Sequence, residues 1–331
     1  AAPLNVTFDN KSVVRLAAGA AHSLALTEDG SVYAWGSNAW GQLGVGNNTN
    51  ASNVRSNVTL PIRVRSLAGG VTEQPWLDTV VSIDAEYNYS LALRADGSVA
   101  VWGANNNGQM GKGTVDSAAT RVQVMPGLIL RGAMGKDTPY GTSGLILTHD
   151  EYLRGAITAA AGAEHAVAAT GEGNAWAWGL NDVQQVAPSA SLSTTRSSLP
   201  VQVSATWLDD GAGRAAHVTA HAGQTFFTDN LGTVYAMGRN NVTDVVNSLL
   251  GIGAADASTG VPVSVKKETT GVHNGIYYYN TDLNSSLLDK VMSVTVGDTH
   301  AVAIRDDGTV YAWGLNNYGQ LGGYGNLDLP D

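Results

Sequence analysis

The feature that most constrains the fold is an internal repeat. The stretch from His22 to Gly36, His-Ser-Leu-Ala-Leu-Thr-Glu-Asp-Gly-Ser-Val-Tyr-Ala-Trp-Gly, returns four more times without gaps. A period of tens of residues indicates an array of small units, each of which buries its apolar surface against the next unit. The later copies cover 89–103, 165–179, 224–238 and 300–314.

Each copy of the repeat predicts a β-hairpin. A glycine stands eight positions after the first residue of every copy, where the chain needs a positive φ, and in three copies an aspartate precedes it. Apolar and polar residues alternate on both sides of this turn, as at Leu24 and Leu26 before it and Val32 and Ala34 after it. The turn glycines are Gly30, Gly97, Gly173, Gly232 and Gly308.

Further strands flank the hairpins. A lead-in strand over 13–19 has counterparts at 80–83 and 291–294, and a fourth strand follows around 61–64 and 200–203. Three to four short strands in each of five units, without a helical pattern, predict an all-β fold, namely a β-propeller. The 40 glycines and the charged fraction of only 14% agree with a turn-rich all-β protein.

The number of blades is open at this point. Five clear units predict five blades, and degenerate strand pairs near 143–149 and 275–279 would raise the number to six or seven. Either the ring closes by joining the terminal strands in one blade, which we favour, or the chain is an excerpt from a longer array. We expect a single domain over 1–331, with repeat cores at 13–44, 80–111, 156–186, 215–243 and 291–322 and insertions at 112–155 and 244–290.

A second motif follows the hairpin. It reads Asn-Ala-Trp-Gly-Gln-Leu-Gly over 38–44 and has close counterparts at 105–111 and 316–322, whereas the middle units keep only Asn181 and Asn240. The hairpin and this motif together resemble the repeat of the regulator of chromosome condensation family over essentially the whole chain. The resemblance implies a β-propeller, usually of seven blades. It also implies nucleotide exchange on a small GTPase and docking on chromatin, which are activities of nuclear family members.

Two slots of the repeat hold side chains that we interpret as structural. The first slot holds His, Tyr or Gln, which can all donate a hydrogen bond but share no metal-ligand geometry, so we predict no metal site. The second slot holds Trp or Met, which suits an apolar wedge between sheets. The first slot is occupied by His22, Tyr89, His165, Gln224 and His300, and the second by Trp35, Trp102, Trp178, Met237 and Trp313.

Composition and motif content exclude several classes of function. The chain has no cysteine, which excludes disulfides, thiolate metal sites and cysteine nucleophiles. Its net charge of −10 opposes binding to nucleic acid, and no apolar run is long enough to predict a transmembrane helix. The sequence contains no nucleophile elbow, His-Glu-x-x-His motif or phosphate-binding loop. We therefore expect no catalytic residues, no cofactor and no enzymatic activity.

The candidate partner-binding residues lie in loops. The variable position after the asparagine of the second motif is occupied by Trp40, Asn107, Val183, Val242 and Tyr318. Ring closure would place Trp40 and Tyr318 on adjacent loops of one rim, where large aromatic residues form hot spots for a protein or a sugar. The alternative is that these rings cap their own blades. The insertions and a shorter loop add Tyr277, Tyr278, Tyr279 and Trp76.

Acceptor sequences for N-glycosylation are frequent, which favours an extracellular or cell-surface protein. The opening residues Ala1-Ala2-Pro3 are compatible with a cleaved leader. A cytoplasmic protein is the alternative, and a bacterial source would leave the acceptors unmodified. The acceptors are Asn5, Asn10, Asn47, Asn50, Asn57, Asn88, Asn241 and Asn284.

The sequence thus predicts a non-enzymatic propeller, secreted or displayed on a surface, that binds proteins or assembles through its rim loops. The alternatives are a guanine-nucleotide exchange factor for a small GTPase, a carbohydrate-binding propeller and a secreted enzyme inhibitor. The acidic net charge and the lack of a basic run argue against chromatin docking.

Overall fold

Each predicted hairpin forms the middle of a small antiparallel sheet. The computed structural model describes the following residues: 6–45, 57–66, 76–115, 127–128, 153–187, 195–203, 214–240, 249–252, 258–265, 270–273, 276–279, 287–316 and 318–322. Within these residues the structure contains strands and no helix. The all-β prediction is therefore confirmed.

The strands group into five blades in chain order. Blade 1 contains β1 Val13–Ala18, β2 His22–Thr27, β3 Val32–Gly36 and β4 Val58–Arg63. Blade 2 contains β5 Val80–Glu86, β6 Tyr89–Arg94, β7 Val99–Gly103 and β8 Gly127–Leu128. Blade 3 contains β9 Ala156–Ala161, β10 His165–Thr170, β11 Ala175–Leu180 and β12 Arg196–Gln202. Blade 4 contains β13 Ala215–His221, β14 Gln224–Asp229, β15 Val234–Gly238 and β16 Thr259–Ser264.

Blade 5 has three strands among the described residues, and a separate hairpin precedes it. The hairpin consists of β17 Thr270–His273 and β18 Ile276–Tyr279. Blade 5 consists of β19 Val291–Val296, β20 His300–Arg305 and β21 Val310–Gly314. The predicted strand pair near 275–279 is thus a two-stranded hairpin outside the five sheets, and the one near 143–149 lies outside the described residues.

The first strands of consecutive blades lie side by side, which is the arrangement of a propeller. β1 adjoins β5, β5 adjoins β9, β9 adjoins β13, and β13 adjoins β19. No comparable packing joins blade 5 to blade 1 within the described residues. The described blades therefore form a row of five around an axis, and the closure that we favoured from the sequence is not seen in them.

Each pair of consecutive blades encloses an apolar core. In the first such core, Leu26 and Val32 of blade 1 pack with Val80 and Ile83 of blade 2, and all four side chains are at most 4% exposed. Alternating side chains of one sheet point to the preceding blade and to the following blade, so both faces of an inner blade are buried. A blade is consequently stable only between neighbours.

A backbone hydrogen bond recurs at the hairpin turn of every inner interface. The carbonyl oxygen of Gly30 accepts from the amide nitrogen of Val80 at 3.2 Å, and the turn glycines of blades 2, 3 and 4 accept in the same way from the first strands of blades 3, 4 and 5. The five turn glycines have φ between +75° and +91°. The turns therefore position the next blade as well as reversing the chain.

The fourth strands depart from the sequence-based division into cores and insertions. β8 lies within the predicted insertion 112–155, and β16 lies within 244–290. The sequence pattern did not predict these two strands, because an edge strand needs only a short run of paired backbone and carries no repeat motif.

A matched pair of glycine substitutions tests the contact between blades. Gly232 and Gly308 occupy the same turn position with φ of +81°, but a Cβ on Gly232 would lie 2.6 Å from Lys290 Cα, whereas a Cβ on Gly308 would meet nothing within 4 Å. Left-handed backbone costs a residue with a Cβ about 1 kcal/mol, so Gly308→Ala is expected to lower the free energy of unfolding by that amount. Gly232→Ala is expected to cost roughly 1 to 3 kcal/mol more because it crowds the next blade. Denaturant titrations measure both, and equal midpoints for the two variants would contradict the role of the turn.

Candidate functional site

One end of the propeller gathers the loops that the sequence singled out. The turns between the first and second strands lie at this end, and so do the loops after the third strands, because His22 pairs with Gly36 and Ser37 donates to the carbonyl oxygen of Ala21 at 2.8 Å. The other blades repeat these contacts. We call this end the loop face. It comprises 19–21, 86–88, 162–164, 221–223 and 297–299 together with 37–45, 104–113, 181–187, 239–240, 249–252, 315–316 and 318–322.

Asparagine and glutamine side chains hold the loops of this face in one conformation. In blade 1, Asn38 Oδ1 accepts from the amide of Leu43 at 3.1 Å, and Gln42 Oε1 accepts from the amide of Trp40 at 2.8 Å. Blades 2, 3 and 5 repeat both bonds through Asn105, Asn181 and Asn316 and through Gln109, Gln185 and Gln320. Each of these loops is thus held by hydrogen bonds to its own side chains.

Gln185 belongs to the second motif of the third unit, which the sequence predicted to be reduced to Asn181. The glutamine stands four positions after the asparagine, as in the first, second and fifth units. Gln185 Oε1 accepts from the amide of Val183 at 3.0 Å, which is the same bond that Gln42 makes. A pattern of Asn followed four positions later by Gln would have identified it. The glycine that precedes the glutamine in the first, second and fifth units is not required for this hydrogen bond.

The variable loop position does not project freely in the inner blades. The Asn107 side chain hydrogen-bonds Glu164 of blade 3, and Val183 contacts Gly223 of blade 4, so each reaches the turn of the following blade. Trp40 is half-buried, and Val242 lies outside the described residues. Tyr318 in blade 5 is 90% exposed. Trp40 thus belongs to the first described blade and Tyr318 to the last, and their placement on adjacent loops stays a prediction.

In blades 1 to 4 the first repeat slot connects the blade to the next one. The Ser90 hydroxyl donates to the carbonyl oxygen of Gln42 at 2.9 Å, so His22 Nε2, 2.8 Å from the same hydroxyl, must be the donor to it. His165 Nε2 meets Thr225 Oγ1 in the same way at 2.8 Å, with Thr225 donating to Gln185. Neutral histidines satisfy this network, and burial lowers the pKa of His22 and of His165 to about 4.

Tyrosine and glutamine make the same connection from the same slot. The Tyr89 hydroxyl donates to the carbonyl oxygen of Gly162 at 2.9 Å, and Gln224 Nε2 donates to the carbonyl oxygen of Asp298 at 3.1 Å. Two tryptophans of the second slot add a bond in the reverse direction: Trp102 Nε1 donates to the carbonyl oxygen of Gln42 at 2.8 Å and Trp178 Nε1 to that of Gln109 at 2.9 Å. These slot residues therefore hold adjacent blades together.

A cluster of charged groups occupies the centre of the loop face. His221 of blade 4 lies between Glu86 of blade 2 and Asp298 of blade 5, with Nδ1 2.9 Å from Glu86 Oε2 and Nε2 2.9 Å from Asp298 Oδ1. The hydrogen bond to Glu86 contributes most to raising the pKa of His221, to about 9. His221 is therefore a cation at neutral pH, and one side chain links three blades across the axis.

Two further carboxyl groups of this region have raised pKa values. Desolvation raises the pKa of Asp84 to about 6, although its carboxylate accepts from the amides of Ala161 and Ala85 at 2.9 Å. Desolvation also raises the pKa of Glu164, and the nearby Asp182 acts in the same direction. Shifted ionisable groups concentrate at functional sites but also occur in structural networks.

The repeat itself explains why charged residues reach the centre. In the three units with a histidine in the first slot, the residue three positions earlier is glycine, and a Cβ on Gly162 would lie 2.1 Å from His165 Cε1. The other two units have Tyr89 or Gln224 in the first slot, and Glu86 and His221 then replace that glycine. The imidazole ring and a side chain three residues earlier exclude each other. The correlation between the first-slot residue and the residue three positions earlier is visible in the sequence, but only the geometry shows its steric cause.

The remaining candidates lie away from this centre. Trp76 pairs with Arg65 at the outer side of blade 1, and its ring lies 4.5 Å from the Arg65 guanidinium and 5.3 Å from that of Arg63. The two arginines cover an indole that is 41% exposed. The tyrosines Tyr277, Tyr278 and Tyr279 belong to β18. Among the glycosylation acceptors, Asn10 and Asn57 are exposed and Asn88 is half-buried, and the other five lie outside the described residues.

Among the described residues, no group of three or more His, Asp or Glu side chains has an arrangement that could hold a metal ion. No helix in that part is long and apolar enough to cross a membrane. The geometry of the loop face is instead that of a fixed surface with hydrogen-bonding and charged groups.

Comparison with known proteins agrees with this architecture. Sequence profiles of the Regulator of chromosome condensation (RCC1) repeat match residues 13–42, 80–109, 157–185 and 291–320, and a second profile of this repeat matches 29–93. The chain belongs to the RCC1 repeat family. Blade 4 is outside these matches and has the same strand order as blades 1 to 3, so the structure adds it to the RCC1 repeats.

Several relatives share most of this chain. The Ultraviolet-B receptor UVR8 of Arabidopsis thaliana is 24% identical over 97% of the chain, and human HERC2, an E3 ubiquitin-protein ligase, is 25% identical over 93%. The matches cover 57% of UVR8 and 6% of HERC2. The crystal structure of human WBSCR16 superposes with a TM-score of 0.64 at 20% identity, covering 97% of this chain and 67% of WBSCR16. This likeness shows the shared propeller fold.

The central cluster predicts a loss of stability at alkaline pH. Because the pKa of His221 is raised from 6.5 to about 9, its contribution is fully present below pH 6.5 and is lost as the pH rises through 9. The melting temperature of the wild type is expected to fall over this interval more than that of His221→Gln. His217→Gln, on the exposed side of the same strand β13, is the control and should follow the wild type. Parallel curves for wild type and His221→Gln would refute the assignment.

Proposed function

We propose that this RCC1-repeat propeller is a non-catalytic protein-binding scaffold that recognises its partner through the centre of the loop face. The observation that carries the proposal is Tyr87, which is 51% exposed beside the Glu86–His221–Asp298 cluster. A half-exposed aromatic ring next to charged groups on a rigid frame is the kind of residue that dominates the energy of protein interfaces.

The rigidity of the frame supports this function. The backbone of Tyr87 is held because its carbonyl oxygen accepts from the amide of Ala20 in blade 1 at 2.8 Å. Its neighbour Glu86 is fixed by His221, and the surrounding loops are held by their own Asn and Gln side chains. A surface that is ordered before binding loses little conformational entropy when a partner docks.

The charge of the centre favours a basic partner. Glu86, Glu164, Asp182 and Asp298 supply four carboxyl groups at this end, and the described loop face sets three cationic side chains against them: Lys112, His221 and the exposed Arg239. The chain as a whole has a net charge of −10, so its long-range field points in the same direction. Complementary charge accelerates association and selects among partners. We therefore expect the bound segment to carry lysine or arginine.

Substitution of Tyr87 tests the proposal. Ala222 occupies the equivalent position in blade 4 with φ of 47°, close to the 48° of Tyr87, so Tyr87→Ala fits the backbone. With the chain immobilised, Tyr87→Ala is expected to reduce recovery of a partner from native-source extract by about tenfold or more, as for a hot-spot residue. Leu231→Ala is the matched control, since Leu231 is 60% exposed at the turn on the opposite end. Equal recovery with both variants would remove the loop face from the function.

We also propose that the protein acts outside the cell or at its surface. The support is the number of Asn-x-Ser/Thr acceptors and the exposure of Asn10 and Asn57. Intact mass measured before and after deglycosidase treatment of protein from its native source should differ by the mass of the glycans. Asn57→Gln is expected to remove one glycan. An unchanged mass would leave the extracellular proposal without support.

The other functions considered from the sequence remain alternatives. Nucleotide exchange on a small GTPase rests on family membership, and sugar binding or enzyme inhibition rests on the aromatic residues of the rim. Accelerated release of labelled nucleotide from a GTPase panel would favour exchange over the scaffold role. Loss of partner recovery on adding free sugars would favour carbohydrate binding.

A further inference from the structure

Two guanidinium groups flank one indole ring at the outer side of blade 1. The Arg65 guanidinium lies 4.5 Å from the ring centroid of Trp76, and the Arg63 guanidinium lies 5.3 Å from it. Arg65 and Trp76 also pair through their backbones, so the cations and the ring come from two adjacent stretches of chain. We call Arg63, Arg65 and Trp76 the arginine–tryptophan site.

The Arg63 side chain lacks the partners that a half-buried cation normally has. Its Nε atom is shielded from solvent and has no hydrogen-bond partner. Within the described residues, no carboxylate forms an ion pair with its guanidinium. A desolvated charge is normally paired, and an unpaired buried donor destabilises the fold. A ligand that supplied an acceptor to Arg63 would therefore be bound favourably.

A third cation adds to the positive charge at this place. The hydrogen bond to Asp29 raises the pKa of Lys11, whereas Arg63 acts in the opposite direction, so Arg63 and Lys11 lie close enough to repel each other. Asp29 is engaged by Lys11 at 2.6 Å, and Asp9 accepts from the Tyr33 hydroxyl at 2.8 Å. These two carboxylates are thus occupied by other groups and do not pair with Arg63.

Blade 4 builds the same connection to its following blade as blade 1 does. The amide of Leu77, directly after the indole, donates to the carbonyl oxygen of Val64 at 2.9 Å, and in blade 4 Leu288 donates to Val265 at 2.9 Å. All four of these side chains are at most 1% exposed. The backbone bond and the apolar contact are therefore structural parts of the repeat.

The arginine and the tryptophan of blade 1 are additions to that connection. At the equivalent positions blade 4 has Ser264 instead of Arg63 and Leu287 instead of Trp76. Leu287 is 42% exposed and Trp76 is 41% exposed, so the two positions have the same surroundings. Because the same backbone carries a neutral pair in blade 4, the packing of the repeat does not account for the cations and the indole in blade 1.

We propose that the arginine–tryptophan site binds an acidic sugar, namely a sulfated or uronic unit of an otherwise neutral glycan. The guanidinium groups bind the sulfate or carboxylate, which gives Arg63 Nε its acceptor. The exposed part of the indole packs on the C–H face of the sugar ring. The net charge of −10 opposes binding of a polyanion, so a ligand with one acidic group on a neutral body fits this chain better.

Calorimetric titration of the full chain with glucose 6-sulfate tests the proposal. Glucose is the uncharged control, and inorganic sulfate is the control for charge alone. The wild type is expected to bind glucose 6-sulfate at least about tenfold more tightly than either control, because this ligand engages the cations and the ring together. A wild type that does not bind glucose 6-sulfate would overturn the proposal. Equal affinity for inorganic sulfate, or tighter binding of a phosphoserine peptide, would overturn the assignment of a sugar.

Two variants take their residues from blade 4, so each is expected to fold with a melting temperature close to that of the wild type. Arg63→Ser should weaken binding of glucose 6-sulfate by about tenfold or more, since it removes charged hydrogen bonds. Trp76→Leu should weaken binding of glucose 6-sulfate and leave binding of inorganic sulfate unchanged. Unchanged affinity for glucose 6-sulfate in either variant would contradict the site.

Arg214→Ser is the matched control, because it removes the same charge from an exposed arginine of blade 4. Its affinity for glucose 6-sulfate should equal that of the wild type. Equal losses in Arg63→Ser and Arg214→Ser would show that net charge alone acts, which would overturn the proposal. The arginine–tryptophan site lies away from the loop face, so these results are independent of the partner-binding role of Tyr87.

Discussion

The interface between consecutive blades is the constraint on which the rest of the structure depends. Both faces of an inner blade are apolar, so a single four-stranded sheet cannot be stable in water without neighbours on both sides. Leu26, Val32, Val80 and Ile83 show how completely two blades exclude water from this contact. The hydrogen-bonded repeat slots stabilise this interface, and the loop face lies at an end of the blades that the interface leaves open.

Hydrogen bonds give this apolar contact a fixed geometry. The bonds from His22 to Ser90, from Ser90 to Gln42 and from Trp102 to Gln42 place two blades in one register. The same atoms shape the loop face, since Gln42 also holds its own loop through Trp40. Because the donors lie in repeat slots, one solution to the packing problem is used several times, with serine, threonine, histidine, tyrosine and glutamine as interchangeable donors.

The candidate site arises where the repeat is allowed to vary. A histidine in the first slot requires glycine three residues earlier, so only the two units without that histidine carry a side chain at this position. Glu86 and His221 are these side chains, and His221 joins blades 2, 4 and 5 because it contacts both Glu86 and Asp298. Structural stability and the charge of the loop face are therefore coupled through the same residues.

The sequence by itself determined the repeat, the hairpins with their glycine turns and the propeller class, because periodicity and turn chemistry are local properties of the chain. It did not determine the edge strands β8 and β16 or the motif role of Gln185. Nor did it bring Glu86, His221 and Asp298 together, although the glycine alternation was visible. Only the tertiary structure decided these points, because they depend on which blade follows which around the axis and on the distance between residues far apart in the chain.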